Sequence, residues 1–110
     1  MIVYIAHRIS APTREGIEAN LADIRRIVRR INMEQMDIVP FVPYYCDIVS
    51  MDDNVPAERE RGIWNDTEIL RSGIVDQLWL TGDSISTGMT TEAEMSEILG
   101  IPVVNKIGQL

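Results

Sequence analysis

Short apolar runs alternating with amphipathic stretches predict an α/β fold, a parallel sheet flanked by helices. Three observations carry that prediction. Ile2 to Ala6, Asp76 to Leu80 and Ile101 to Val104 are short, largely apolar runs, the pattern of strands covered on both faces. From Gly16 onward, Ile17, Leu21, Ile24, Val28 and Ile31 recur at steps of three and four, which lays one apolar stripe along a helix of about five turns. Strand and helix signals then alternate to the end of the chain, and that alternation favours parallel pairing through right-handed crossovers.

Each element follows from local chemistry. Ile2 to Ala6 is the first strand and runs into a polar loop containing Pro12. Arginines and acidic residues fill the solvent face of the long helix that follows. Asp37 to Val42 returns to β-branched character with Pro40 inside it and Pro43 just beyond, so it reads as a short strand near a sheet edge. Tyr44-Tyr45-Cys46-Asp47 is expected to begin a loop. Pro56 suits the first turn of a helix to about Ser72, with Asn54 or Asp53 as its cap. Asp76 to Leu80 is the third strand, Gly82 to Ser86 a loop, and Thr90 to Leu99 a helix stopped by Gly100. Ile101 to Val104 is the fourth strand.

The 110 residues suit a single domain, residues 1–110, with one core. A 45% hydrophobic fraction is ordinary for a globular chain, and no apolar run approaches the ~20 residues that cross a bilayer. No basic stretch followed by a long apolar run opens the sequence, so a cytoplasmic protein without a signal peptide or membrane partner is expected. A formal charge of −7 disfavours a nucleic-acid polymer as partner, because such binding depends on clustered cations. The cluster Arg25, Arg26, Arg29 and Arg30 reads as a solvated helix face. One cysteine and one histidine leave no internal disulfide and no multi-thiolate zinc site, so neither a metal nor another cofactor is expected.

The stretch richest in chemistry is Ser86-Thr87-Gly88-Met89-Thr90-Thr91-Glu92, followed by Gly100-Ile101-Pro102-Val103. It reads as a small-residue turn opening a helix. Unpaired backbone N–H groups and the positive end of the dipole suit an anion there, and Glu92 lies about one turn inside. In open parallel sheets, ligands sit beyond the C-terminal strand ends, where this turn also lies. The plainer readings are that Ser86 is a helix cap and Glu92 a first-turn glutamate facing the dipole.

The Ser-x-Gly-x-x-x-Glu spacing, together with the Tyr4-Ile5-Ala6 strand, resembles the nucleoside 2-deoxyribosyltransferase-like superfamily. Within it the chain looks closest to a bacterial and phage branch of unknown function, through Asp52-Asp53-Asn54, Pro56, Glu58-Arg59-Glu60-Arg61-Gly62, Leu78-Trp79 and Gly82-Asp83. The resemblance spans nearly the whole chain. It implies a three-layer, flavodoxin/Rossmann-like sheet of order 2-1-3-4, with the usual fifth strand short or absent because only Asn105 to Leu110 remains for it. It also implies a homo-oligomer, a dimer or larger, with the Tyr44 to Asn54 loop as the candidate for reaching a neighbouring chain.

Function is implied in the same way. Glu92 takes the position of the glutamate that attacks the anomeric carbon of a deoxyribose, a role like that of the nucleophile in retaining glycosidases. Relatives carry a second carboxylate eight residues before the aspartate that opens strand three, which here is Glu68, with Asp66 two residues earlier as the alternative. Asp76 itself reads as a cap on the strand entrance. His7, Arg8 and Ser10 correspond to the loop that contacts sugar or phosphate, and His7 departs from the small residue common there. Arg8 and Ser10 offer donors to a phosphate. Ser86, Gly88 and Met89 supply the anion-binding turn. Tyr44 and Tyr45 are base-stacking candidates, as is Trp64, although a chain with one Phe needs some of its aromatics inside. Trp79 reads as structural. The ligand implied is a nucleotide or nucleoside, handled by a hydrolase or a deoxyribosyltransferase. A non-catalytic nucleotide-binding or sensing module is the alternative.

Overall fold

In a computed structural model that describes residues 1–110, a four-stranded parallel sheet runs in the order β2-β1-β3-β4. The strands are β1 (Ile2–Ala6), β2 (Val39–Phe41), β3 (Gln77–Leu80) and β4 (Val103–Asn105). The helices are α1 (Arg14–Glu34), α2 (Tyr44–Ser50), α3 (Pro56–Arg71) and α4 (Thr87–Ile98). This is the three-layer α/β arrangement that the sequence predicts, and no strand follows β4.

β1 is central, in register with β2 through Ile2 and Val39 and with β3 through Val3 and Gln77. Val3, Tyr4, Ile5 and Ala6 are buried, as a strand covered on both faces requires. Alternation sends Val3 and Ile5, with Trp79 of β3, against Ile27 and Ile31 of α1. Tyr4 and Ala6 join Tyr44, Leu70 and Met89 on the opposite face, under α2, α3 and α4. Trp79 is therefore structural, its indole N–H donating to Gln77 Oε1 at 2.9 Å. Asp76 does cap the strand entrance, accepting from the Ile2 N–H at 2.7 Å.

Several boundaries differ from the sequence reading, each for a local reason. Tyr44 to Ser50 is helical where a loop is expected, because burial of Tyr44 and partial burial of Ile48 hold a turn too short to persist alone. Neither Asp53 nor Asn54 caps α3. Val55 occupies that position without a side-chain bond, while Asp52 accepts from the Asn54 N–H in the preceding turn. Ser86 caps α4, so the helix begins at Thr87 rather than Thr90. β2 shrinks to three residues at the sheet edge, where Pro40 is tolerated. Past β4 the chain turns, and the Gly108 N–H donates to Gly82 O at 2.8 Å.

The connection from β1 leads outward to β2, and the connection from β3 leads the other way to β4. The ends of β1 and β3 therefore flank the point where strand order reverses, the usual place for a ligand cleft. A cavity of about 280 Å³ opens there.

Candidate active site

Every wall of the cavity comes from a different segment. Ile9 and Ser10 follow β1, Tyr44 and Asp47 belong to α2, Gly62, Asp66 and Leu70 to α3, and Ser86 through Met89 with Glu92 to α4. Helical spacing explains the α3 contribution: Gly62, Asp66 and Leu70 are successive i, i+4 positions on one stripe.

The start of α4 is doubly fastened. Ser86 Oγ accepts the Met89 N–H at 3.2 Å, and Met89 Sδ accepts the Ser86 N–H at 3.4 Å, a capping box in which a thioether replaces the usual carboxylate or amide. Met89 is fully buried. Glu92, three residues on, lies on the same face, and Tyr4 of β1 donates its phenol O–H to Glu92 Oε2. The glutamate is withdrawn from bulk solvent yet open to the cavity. Burial raises its pKa to about 7, and the Tyr4 hydrogen bond offsets part of that rise. Burial, followed by the charge of Glu92, in turn holds the Tyr4 phenol well above its ordinary value, so it remains a donor.

Asp66 is the second carboxylate on the wall. One of its oxygens is buried without a hydrogen-bond partner. Burial first, then the charges of Glu92 and Asp47, raise its pKa to about 8. Glu68 lies elsewhere: it is exposed and pairs with Arg71 at 3.6 Å. Residues two apart on a helix point about 200° apart, so Asp66 and Glu68 cannot both face the cavity.

The other candidates divide in the same way. Ser10, Ser86, Gly88, Met89 and Tyr44 line the cavity, whereas Arg8 and Tyr45 do not. Arg8 is exposed beyond the wall. Tyr45 turns to the far side of the sheet edge, where its hydroxyl accepts from Arg25 Nη1 at 2.8 Å. Tyr44 keeps its ring 5.8 Å from that of Tyr4 and donates its hydroxyl to Ile5 O at 2.6 Å, so it can offer a face but not a proton. Ser10 is directed at Asp53, 3.4 Å away. His7 reaches the wall with both ring nitrogens already engaged, Nε2 by Asp23 and Nδ1 by Arg8 O, each at 2.7 Å. It has no nitrogen left for a phosphate or for general acid work. Trp64 is exposed outside the cavity, with the Arg61 guanidinium over its ring at 4.9 Å.

Sequence reasoning passed over Tyr4 and Asp47. Tyr4 is the one hydroxyl-bearing side chain in an otherwise aliphatic β1 run, a signal that was available. Asp47 lay in a segment read as loop, so nothing directed it inward. Asp53, Glu58 and Arg59 also line the cavity, although their sequence motifs point to no ligand contact. Counting Asp47, Asp53, Glu58, Asp66 and Glu92 against Arg59 and His7, the lining is acidic. No set of three or more His, Cys, Asp or Glu side chains converges in a way that could hold a metal ion. What the arrangement offers is two carboxylates of raised pKa, supplied by separate helices and facing a common space.

Residues 1–106 match the family described as Domain of unknown function (DUF7768). No curated protein matches the chain. Among solved structures, the fold is similar to that of the 2-deoxyribosyltransferase from the psychrotolerant bacterium Bacillus psychrosaccharolyticus, which is described as a biocatalyst for nucleoside synthesis. The TM-score is 0.67 at 20% identity, covering 100% of this chain and 76% of that one. At that identity the likeness establishes a shared fold. No helix is long and apolar enough to cross a membrane.

Proposed function

Because the chain belongs to this family of undefined activity, its function must be argued from the cavity, and we propose that it acts on the N-glycosidic bond of a deoxynucleoside or nucleotide. The observation that carries the reading is the pairing of Glu92 with Asp66 across the cavity at the strand-order reversal. The solved fold it resembles belongs to a 2-deoxyribosyltransferase, and Asp53, Glu58, Arg59 and Gly62, from the motifs that carry the sequence resemblance, line the same cavity.

In the proposed reaction, Glu92 Oε attacks the anomeric carbon of the sugar as the bond from that carbon to the base nitrogen breaks. The bonding pair leaves with the base, and the Asp66 carboxyl supplies the proton that neutralises it. Water, or the nitrogen of a second base, then displaces Glu92 from the sugar and returns its proton to Asp66. Asp66 titrates above Glu92, so near neutral pH the pair retains a proton on the acid and negative charge on the nucleophile, and the two apparent pKa values belong to the pair. The Tyr4 hydroxyl orients Glu92 until the carbon–oxygen bond forms. Between the two ligand classes, the acidic lining favours the unphosphorylated deoxynucleoside.

The test is free-base release from a panel of deoxynucleosides and their 5'-monophosphates, with wild type beside Glu92→Gln. Release by wild type and a loss of about 10³-fold in the variant is the expected result. Saturable binding without release from any member would overturn the enzyme reading and leave a non-catalytic nucleotide-binding module.

A further inference from the structure

His7 is the only histidine in the chain, and it is buried at the wall of the cavity. Its two partners determine how many protons the ring must carry. Nδ1 lies 2.7 Å from Arg8 O and Nε2 lies 2.7 Å from Asp23 Oδ2. A carbonyl oxygen only accepts, and so does an ionised carboxylate. Either neutral tautomer would satisfy one partner and direct a lone pair at the other. Asp23 is held ionised: burial acts to raise its pKa, but hydrogen bonds from His7 and Arg26 outweigh this and lower it.

The surroundings are shaped to this ring. Gly82, at φ +91°, lies so close that an added Cβ would stand 2.9 Å from His7 Nε2. Asn20 of α1 donates to Ile9 O at 2.9 Å, a second tie from the helix to the segment that forms the cavity wall. The charged and titratable groups around the ring are Asp23 and Arg26 from α1, Arg8 from its own segment, and Tyr44, Asp66 and Glu92 on the cavity walls. The turn after β3 meets the ring through Gly82.

We infer that His7 is a positioning residue, a doubly protonated brace that fastens the Arg8–Ser10 wall of the cavity to α1 and releases it when the ring loses a proton. Deprotonation forfeits one of the two bonds and breaks the link from Arg8 O through the ring to Asp23, leaving the Asn20 tie and the longer Ser10–Asp53 contact to hold the segment. Ligand affinity then depends on pH through the wall rather than through the Glu92–Asp66 pair. That last consequence rests on the proposed use of the cavity, whereas the brace does not.

The experiment is nitrogen NMR on the uniformly labelled full chain from about pH 5 to about pH 9, where a lone histidine needs no assignment. Ring nitrogen shifts report the proton count, and relaxation of the Ile9 and Ser10 amides reports the order of the wall. Both ring nitrogens should carry protons at the acid end. The amide order parameters should fall from about 0.85 towards about 0.6 with the same midpoint as the ring. In Asp23→Ala, which leaves Nε2 without a partner, the wall should be loose across the whole range, while Arg26→Gln, which spares the His7 bond, should follow wild type. A ring with one bare nitrogen throughout would overturn the brace, as would amide order that ignores the ring's midpoint. Neither reading requires turnover, so an inactive protein would refute the proposed function and leave the brace to be judged separately.

Discussion

Glu92 and Asp66 divide the proposed chemistry according to where each side chain sits. Glu92 has a hydroxyl donor and Asp66 has an oxygen with none. Replacing Asp66 by Asn should cost about 10²-fold in kcat and remove the alkaline limb of the pH profile, since the amide cannot deliver a proton. Glu68→Gln, on the solvent side of the same helix, should stay within about twofold of wild type in the same assay. Asp47 shares the cavity with Asp66, and its charge helps to raise Asp66. Asp47→Asn should therefore move the alkaline limb to lower pH, and a titration of base release would read the shift.

At the scale of elements, α4 places Glu92 only if its first turn holds. Ser86→Ala removes the acceptor of the Met89 N–H and should lower stability by about 1 kcal/mol in urea unfolding. It should also lower kcat by misplacing the glutamate, with little effect on the far sheet edge. α2 depends on tertiary contacts in a different way. Tyr44→Phe deletes a hydroxyl that satisfies Ile5 O within the core, and leaving that carbonyl unpaired should cost about 1–3 kcal/mol. Gly82 faces both a backbone and a packing restriction, a positive φ and the His7 ring. Gly82→Ala should thus be more destabilising than a substitution at Gly62, where the nearest side-chain atom is 3.8 Å from a built Cβ.

For the whole molecule, the buried carboxylates tie stability to pH. Asp66 binds its proton up to about pH 8 when folded and only to its ordinary value near 3.8 when unfolded. Between those limits the folded state holds more protons, so stability falls as pH rises from about 4 to about 8 and levels off above. Glu92 adds the same sign over a narrower window, from 4.5 to about 7. Thermal unfolding followed across that range should show the decline. Asp66→Asn should flatten it, with a midpoint about 5 °C above wild type at pH 8.5. A chain of charge −7 with a cavity whose acidic residues outnumber its basic ones should also prefer an uncharged ligand. The expected result is a kcat/KM at least about tenfold higher for deoxynucleosides than for their monophosphates, a gap that narrows as salt rises.

Strand and helix identity were legible in the sequence because apolar period reports burial directly: the β1 run, the α1 stripe and the Pro56 helix start all appear where the pattern puts them. The serine turn and the place of Glu92 were legible as well, since a cap and a residue little more than one turn into a helix are local features. Tertiary structure decided what local pattern cannot hold. Tyr44 to Ser50 became helical through the burial of Tyr44, and Tyr45 one residue later was turned away from the ligand side. The choice between Asp66 and Glu68 needed the facing direction of α3, although their 200° separation already meant that only one could serve. His7 reads as a ligand contact from its place in the loop, whereas α1 supplies Asp23 and the turn after β3 brings Gly82 against the Nε2 edge of the same ring. Sequence spacing sets which residues share a face, and only the packing of one element on another sets what that face meets.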